Sequence, residues 1–526
     1  MGSLVLTAAA VVVAAAAGAV DVDSLLVQSV GGPEAYRTLA AMTSYRTEGK
    51  ADINGLEGTY TQVYAAPDRF YMEIRIGGMT LVSAFDGRTA WQRDHNGRVS
   101  EVEGMEKRQL IEQVYLASYS FIISGRLPGR SEFLGDTTIA DTSWLRVALY
   151  PRPDDTVVML LDGQSALPAY VVQRLDNLTG VTRLSDYRTV AGVALAHSAR
   201  TEFPEAALYT EMTTESVAFN VEVDPALFDL PGAEPVDYRF AAGADSVVIP
   251  FTYYRGHVWL PAAVNGATVA WFILDSGASA NLLNDALTAP LGLTSVGSVP
   301  AKGVGGFEEV PLVRTDSITI GSLTLVDQIA AAMDWDRLGI EPPPGAQAGG
   351  ILGHDFLSRF PVLIDYSDST LTAYNPAAFT APAGGTAVDF HLTMLVPTIS
   401  ASVGGVEGDF IIDLGNSVGL VLHDRFFQDH RLDTVLTNLA SVDRPIGGVG
   451  GTARTRSAVV PAFRIGGMVL SDVPVVIPES TQGLAGSTEL AGNIGNLVLQ
   501  EFRVLLDYRA SRVYFYPPGA REGVAR

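Results

Sequence analysis

Between about residues 35 and 230 the chain alternates apolar and polar residues in short runs, as in YTQVYAA (60–66), DRFYMEIRIGG (68–78) and TLVSAFDGRTAWQRDHNGRVSEV (80–102). A period of two marks strands that bury one face. Asp86-Gly87 and Asn96-Gly97 fall at the breaks, where a tight turn needs residues that tolerate left-handed backbone, so the pattern predicts antiparallel hairpins. Over EKRQLIEQVYLASYSFII (106–123) the apolar spacing changes to three and four, which predicts a helix. Strand runs resume at VVMLLD (157–162), PAYVVQRLDN (168–177) and GVTRLSDYRTVAGVALAHSARTE (180–202). One large antiparallel sheet with a covering helix is the simplest arrangement.

A stretch rich in Pro, Gly and acid, DLPGAEPVDYRFAAGAD (229–245), then interrupts the pattern and reads as a linker. From about 246 a different plan begins and is written twice. Strands lead to an apolar-Asp-x-Gly turn, WFILDSGASANLL in the first copy and DFIIDLGNSVGLVL in the second. A glycine turn follows (303–306, then 448–451), then a strand pair (316–328, then 461–473), then GGILGHDFL (349–357) against GNIGNLVLQ (492–500). The offsets are 138 residues for Asp275 and Asp413, 145 for Gly303 and Gly448, 142 for Gly353 and Gly495, and 142 for Asp365 and Asp507. Such agreement is a duplication, and a unit this long used twice gives two lobes, not a solenoid. The expected organisation is a segment 1–19, a β-rich domain over 20–242, and lobes over 243–378 and 379–526.

Composition agrees with a mostly β chain. At 526 residues the length suits about three domains, and 53 Gly with 28 Pro supply turns. A formal charge of −23 opposes nucleic-acid phosphate and offers no basic stripe for anionic lipid. With no cysteine, disulfides, thiol catalysis and Cys-ligated metals are excluded. Residues 4–20 form an uncharged apolar run ending in Ala17-Gly18-Ala19, which reads as a signal peptide cleaved after Ala19, so the mature chain is expected in the periplasm or outside the cell with no transmembrane span. Met1-Gly2-Ser3 lacks the usual basic residue, which leaves a weak membrane anchor as the other reading.

The chemistry centres on the two turns. A carboxylate delivered by a buried strand is costly unless it is partnered or protonated. Two pseudo-symmetric lobes bring equivalent residues face to face near their axis, so Asp275 and Asp413 should meet there. Gly277 and Gly415 let each chain turn sharply behind its aspartate. Two carboxyl groups in contact share a proton, and one can then take a proton from water while the other donates to a carbonyl. Asp365 and Asp507, in LIDY and LLDY, read as turn residues, and His354 and His423 as turn or surface residues with no zinc-ligand spacing. The glycine turns lack a phosphate-loop pattern, no G-x-S-x-G occurs, and Asn177-Leu178-Thr179 matches a glycosylation triplet.

On these motifs residues 246–520 resemble two-lobed retropepsin-like or pepsin-like aspartic proteases. Asp275-Ser276-Gly277-Ala278 matches closely. The second turn, Asp413-Leu414-Gly415-Asn416, departs from the pattern after the aspartate and after the glycine. The resemblance implies a catalytic pair Asp275 and Asp413, flap tips at Gly305, Gly306, Gly450 and Gly451, a peptide or protein substrate, and neither metal nor organic cofactor. It also implies that Ser276 ties its turn to the opposite lobe, whereas Leu414 cannot return the tie; Asn416 is expected to donate its amide to Asp413. Residues 35–230, with Phe85-Asp86-Gly87 leading to Trp91, resemble the curved-sheet domain of bacterial lipoprotein carriers, which implies an apolar concave face able to hold lipid, lipoprotein or peptide; the same face could instead be filled by the domain's own side chains. The expected activity is therefore an exported aspartic endopeptidase. A catalytically silent peptide- or lipid-binding protein on the same fold stays open, as does a processing enzyme whose N-terminal domain covers the cleft.

Overall fold

The computed structural model describes residues 21–139, 141–232, 236–241, 243–267, 269–303, 306–448, 451–480 and 482–518. The segment expected to be a signal peptide lies outside them, as do Gly305 and Gly450. As the alternation predicts, the N-terminal part is a single antiparallel sheet, here of 13 strands. Neighbours follow the chain except where Ser44–Ile53 pairs with Leu208–Phe219. Three helices lie on one face of it. Leu26 of Val22–Ser29 and Tyr115 of Gly104–Ala117 pack on Val147, Leu149, Val157 and Met159. Ala35 and Leu39 of Pro33–Ala41 pack on Tyr45 and Tyr64, and Leu110 and Val114 on Phe70 and Phe85. The apolar residues of that face are thus covered by the chain's own helices. The helix expected over 106–123 stops at Ala117, because Ser118 caps it and Tyr119 turns left-handed at φ 55°. Among the described residues no helix is long and apolar enough to cross a membrane.

The two copies of the repeat fold alike. Ala270–Leu274 runs parallel to Ala348–Leu352, and Val406–Ile412 runs parallel to Gly492–Ile494. Leu282–Asn284 and Leu420–Leu422 pair antiparallel to those partners. Between the lobes lies a six-stranded sheet whose central pair, Val362–Asp365 against Arg503–Asp507, joins equivalent strands of the two copies across the pseudo-twofold. Asp365 and Asp507 end these strands, and each Oδ1 accepts two backbone N–H groups of the following turn. They are turn residues, as the sequence suggests. The glycine turns are hairpin ends in both copies, with Gly303 opposite Gly306 and Gly448 opposite Gly451.

Residues 236–241 do not swing free as a linker. Tyr238–Arg239 adds an edge strand to the first lobe's sheet. Asp237 holds the buried Arg359 guanidinium through Oδ1 (2.9 Å to Nε) and accepts from Gln328 Nε2 (2.9 Å). The N-terminal sheet docks against both lobes through its turns. Ile76 and Met79 enter the apolar cluster of Trp259, Ile273 and Val310 in the first lobe. Asn96 pairs with both backbone groups of Ile329, at 2.7 and 2.9 Å, and donates to Asp355 Oδ1 at 2.9 Å. On the second lobe, Asp176 accepts from Thr488 N–H (2.6 Å) and Asn177 donates to Gly483 O (3.0 Å). The Asn177 amide of the glycosylation triplet is thus engaged in a contact between domains.

Candidate active site

Each aspartate sits where a buried strand stops. Asp275 N–H donates to Leu352 O and Asp413 N–H to Ile494 O, both at 3.0 Å, so the same strand-to-strand bond fixes each turn. Gly277 N–H then caps Asp275 Oδ1 (2.7 Å) and Gly415 N–H caps Asp413 Oδ1 (3.1 Å). The turns meet back to back across the lobes. A Cβ at Gly415 would lie 2.2 Å from Asp275 Cγ, and one at Gly277 would lie 2.8 Å from Asp413 Cγ, so only glycine permits this approach.

The two carboxyl groups lie together where the turns meet: the same Cβ at Gly277 would be 2.7 Å from Asp413 Oδ1 and 3.2 Å from Asp275 Oδ1. Burial raises both above the ordinary carboxylate range, and the charge of Asp413 pushes Asp275 further up. Both residues remain partly exposed. Carboxyl groups so placed oppose each other's ionisation.

Ser276 makes the expected tie. Its fully buried hydroxyl donates to Ile412 O (2.5 Å) and accepts from Leu414 N–H (3.0 Å). The side chain of Leu414, also fully buried, joins the main apolar core and returns no polar tie of its own. Ala278 packs beside the first lobe's apolar cluster, and its carbonyl accepts from His354 N–H at 2.9 Å.

Asn416 does not do what the sequence suggests. Its Oδ1 accepts from Val418 N–H (3.1 Å), its side chain lies against Gly495, and its Nδ2 has no hydrogen-bond partner among the described residues. The local Asx turn takes the side chain away from the carboxylate. The amide that reaches Asp413 belongs to Asn493, whose Nδ2 donates to Oδ2 at 2.6 Å. The signal for it lay in the repeat: Asn493 stands in GNIG where the first copy, GGILG, has the apolar Ile351.

His354 and His423 are not surface residues. Both are buried, at 0% and 2% exposure. Burial pushes the His354 imidazole down to about 3, and its ring stacks edge-on to Tyr508 at 5.6 Å. In the other copy Tyr366 Oη donates to Asn496 Oδ1 at 2.6 Å, whereas Tyr508 Oη has no hydrogen-bond partner among the described residues. Of the flap candidates, Gly306 and Gly451 end their hairpin strands, and Gly303 O on the first hairpin accepts from Leu484 N–H of the second lobe at 3.1 Å. This hairpin bridges the lobes.

Residues 260–356 and 399–496 each match the model of the aspartyl protease family. These two segments are similar to that family. The matched segments hold both aspartate turns, both hairpins and most of both glycine loops. No curated protein matches the chain significantly. Among solved structures, an aspartic proteinase from Irpex lacteus is similar at 14% identity over 53% of this chain and 99% of its own (TM-score 0.35). A LolA superfamily protein from Nitrosomonas europaea is similar at 9% identity over 40% of this chain and 98% of its own (TM-score 0.29). So is a putative outer membrane lipoprotein-sorting protein domain from Vibrio parahaemolyticus, at 12% over 35% and 89% (TM-score 0.27).

Proposed function

We propose that the chain is an exported aspartic endopeptidase in which Asp275 and Asp413 activate water for attack on a peptide carbonyl. The observation that carries this reading is the close approach of the two aspartates at the meeting of the lobes, each carboxyl group packed on the glycine of the opposite turn. With one proton between them, the ionised aspartate takes a proton from the water as it attacks, and the protonated one donates to the carbonyl oxygen. A tetrahedral diol results, and its collapse expels the amine with proton return from the pair. The bridging hairpin that carries Gly303 supports an extended peptide by strand pairing across the cleft. The interface buries charged groups such as Asp355 and Arg359, which favours an N-terminal domain that stays docked over one released as a pro-region. The test is cleavage of a peptide library from acid to neutral pH, with and without a hydroxyl-bearing mimic of the diol. Cleavage blocked by the mimic is expected. No cleavage across that range would sink the proposal.

A further inference from the structure

The two aspartates do not have the same surroundings. Pseudo-symmetry makes Asn493 the counterpart of Ile351 and His423 the counterpart of Asn284, since Leu282 pairs with Ile351 as Val421 pairs with Asn493. In the first lobe, Asn284 Nδ2 donates to Ala348 O at 3.0 Å and its Oδ1 accepts from Ala286 N–H at 3.1 Å, and the apolar Ile351 offers no side-chain group to carry the contacts on toward Asp275. In the second lobe, His423 Nδ1 lies 3.0 Å from Leu490 O, the matching carbonyl, and the imidazole continues to Asn493 Oδ1 through Nε2 at 2.9 Å. From Asn493 the chain reaches Asp413. Asn493 is 6% exposed.

A carbonyl only accepts, so His423 Nδ1 carries a hydrogen. Asn493 Oδ1 also only accepts, so the contact at Nε2 is a hydrogen bond when His423 is an imidazolium that donates from both nitrogens. The amide is then fixed with its NH₂ toward Asp413, and an NH₂ so placed favours an acceptor-only, ionised carboxylate. Were Asp413 to hold the proton on Oδ2, the amide would have to turn over and present its oxygen, and His423 would have to give up its Nε2 proton to accept from NH₂. Charge on His423 and charge on Asp413 therefore go together.

We propose that Asn493, aimed by His423, keeps Asp413 the ionised member of the pair and leaves the shared proton on Asp275. This deepens the protease reading and rests on it for its catalytic meaning: Asp413 takes the proton from water and Asp275 donates to the carbonyl. Asn493 and His423 are positioning residues. The neighbouring charges have partners of their own. Asp413 faces Asp275 from the other lobe. Asp424 beside His423 is held by Arg456 at 2.8 Å, Glu489 beside Leu490 is paired with Arg108, and Asp409 lies 3.8 Å from His391.

The first lobe supplies the test substitutions, since it folds with the other residues at these places. Asn493→Ile removes the donor, and His423→Asn keeps the bond to Leu490 O but cuts the chain. In the full-length protein, carboxyl-labelled aspartate followed by NMR, with Asp413 assigned from Asp413→Asn, reads the titration directly; the pH profile of peptide cleavage reads it functionally. Loss of one charge-assisted hydrogen bond is expected to raise the Asp413 titration and the acid limb of kcat/KM by about one to two pH units in Asn493→Ile, with a smaller shift of the same sign in His423→Asn. An Asp413 titration unmoved by Asn493→Ile overturns the proposal, whether or not peptides are cleaved. A shifted titration without cleavage in the wild type upholds the proton assignment and refutes the protease reading instead.

Discussion

The Ser276 hydroxyl ties the two aspartate turns together through both of its bonds, and Ser276→Ala removes it. Two bonds are lost at once, to Ile412 O at 2.5 Å and from Leu414 N–H at 3.0 Å, at a site with 0% exposure. Alanine restores neither, and water has no open path to them. Leaving a buried donor and a buried acceptor unsatisfied costs about 1 to 3 kcal/mol each, so the expected loss is about 2 to 6 kcal/mol. That is a large share of the roughly 5 to 15 kcal/mol by which domains are stable. Urea unfolding followed by tryptophan fluorescence suits the question, because Trp259, Trp271 and Trp335 all lie in the first lobe. Ser276→Thr keeps the hydroxyl and is expected to unfold near the wild-type midpoint. If Ser276→Ala unfolds within about 0.5 kcal/mol of wild type, a surface-like change, the tie does not hold the lobes together and the reasoning fails.

Four further outcomes are expected. Burial and the charge of Asp413 raise Asp275 above its unfolded value of 3.8, so the folded chain holds more protons than the unfolded one above that pH and stability falls as pH rises. Asp275→Asn should therefore abolish cleavage yet gain thermal stability over wild type, by a margin that grows from acid to neutral pH; a constant margin would contradict the burial. Asn96→Ala strips the turn that pairs with Ile329 and Asp355 and should cost about 1 to 3 kcal/mol of docking, read as a separate early transition in calorimetry; one unchanged transition would count against it. At the same interface burial opposes the charge on His95, but Asp355 outweighs it and lifts the imidazole to about 9, so its support for docking is full below 6.5 and lost as pH rises through 9. His95→Gln should flatten that loss in a pH series of thermal scans. Leu414→Thr exchanges fully buried apolar surface for one possible cross-lobe hydrogen bond and should lower stability by about 1 to 2 kcal/mol in a thermal-shift assay; a gain in stability would mean that the second hydroxyl matters more than the packing.

The duplication and the strand-ending aspartates were legible because each depends on local pattern, an apolar run and a glycine that allows a turn, whereas the Ser276 tie was implied by the family resemblance of that turn. Features set by direction between elements were not. Asn416 is three residues from Asp413 along the chain, yet an Asx turn points it at Val418, while Asn493, 80 residues away, arrives through the parallel pairing of Val406–Ile412 with Gly492–Ile494. His354 and His423 look polar in sequence and are buried because each follows the residue where its lobe's glycine loop or strand enters the core. The three helices over the N-terminal sheet were half visible. Only the longest has an apolar period extended enough to read, and the two short ones are held by packing.

The central claim is that two aspartates, one from each lobe, act together. It is tested most directly by peptide cleavage with Asp413→Asn, the aspartate whose turn departs from the family pattern. The account predicts that this variant folds, keeps the Ser276 tie and cleaves nothing, as does Asp275→Asn. Cleavage by Asp413→Asn at the wild-type rate would contradict it.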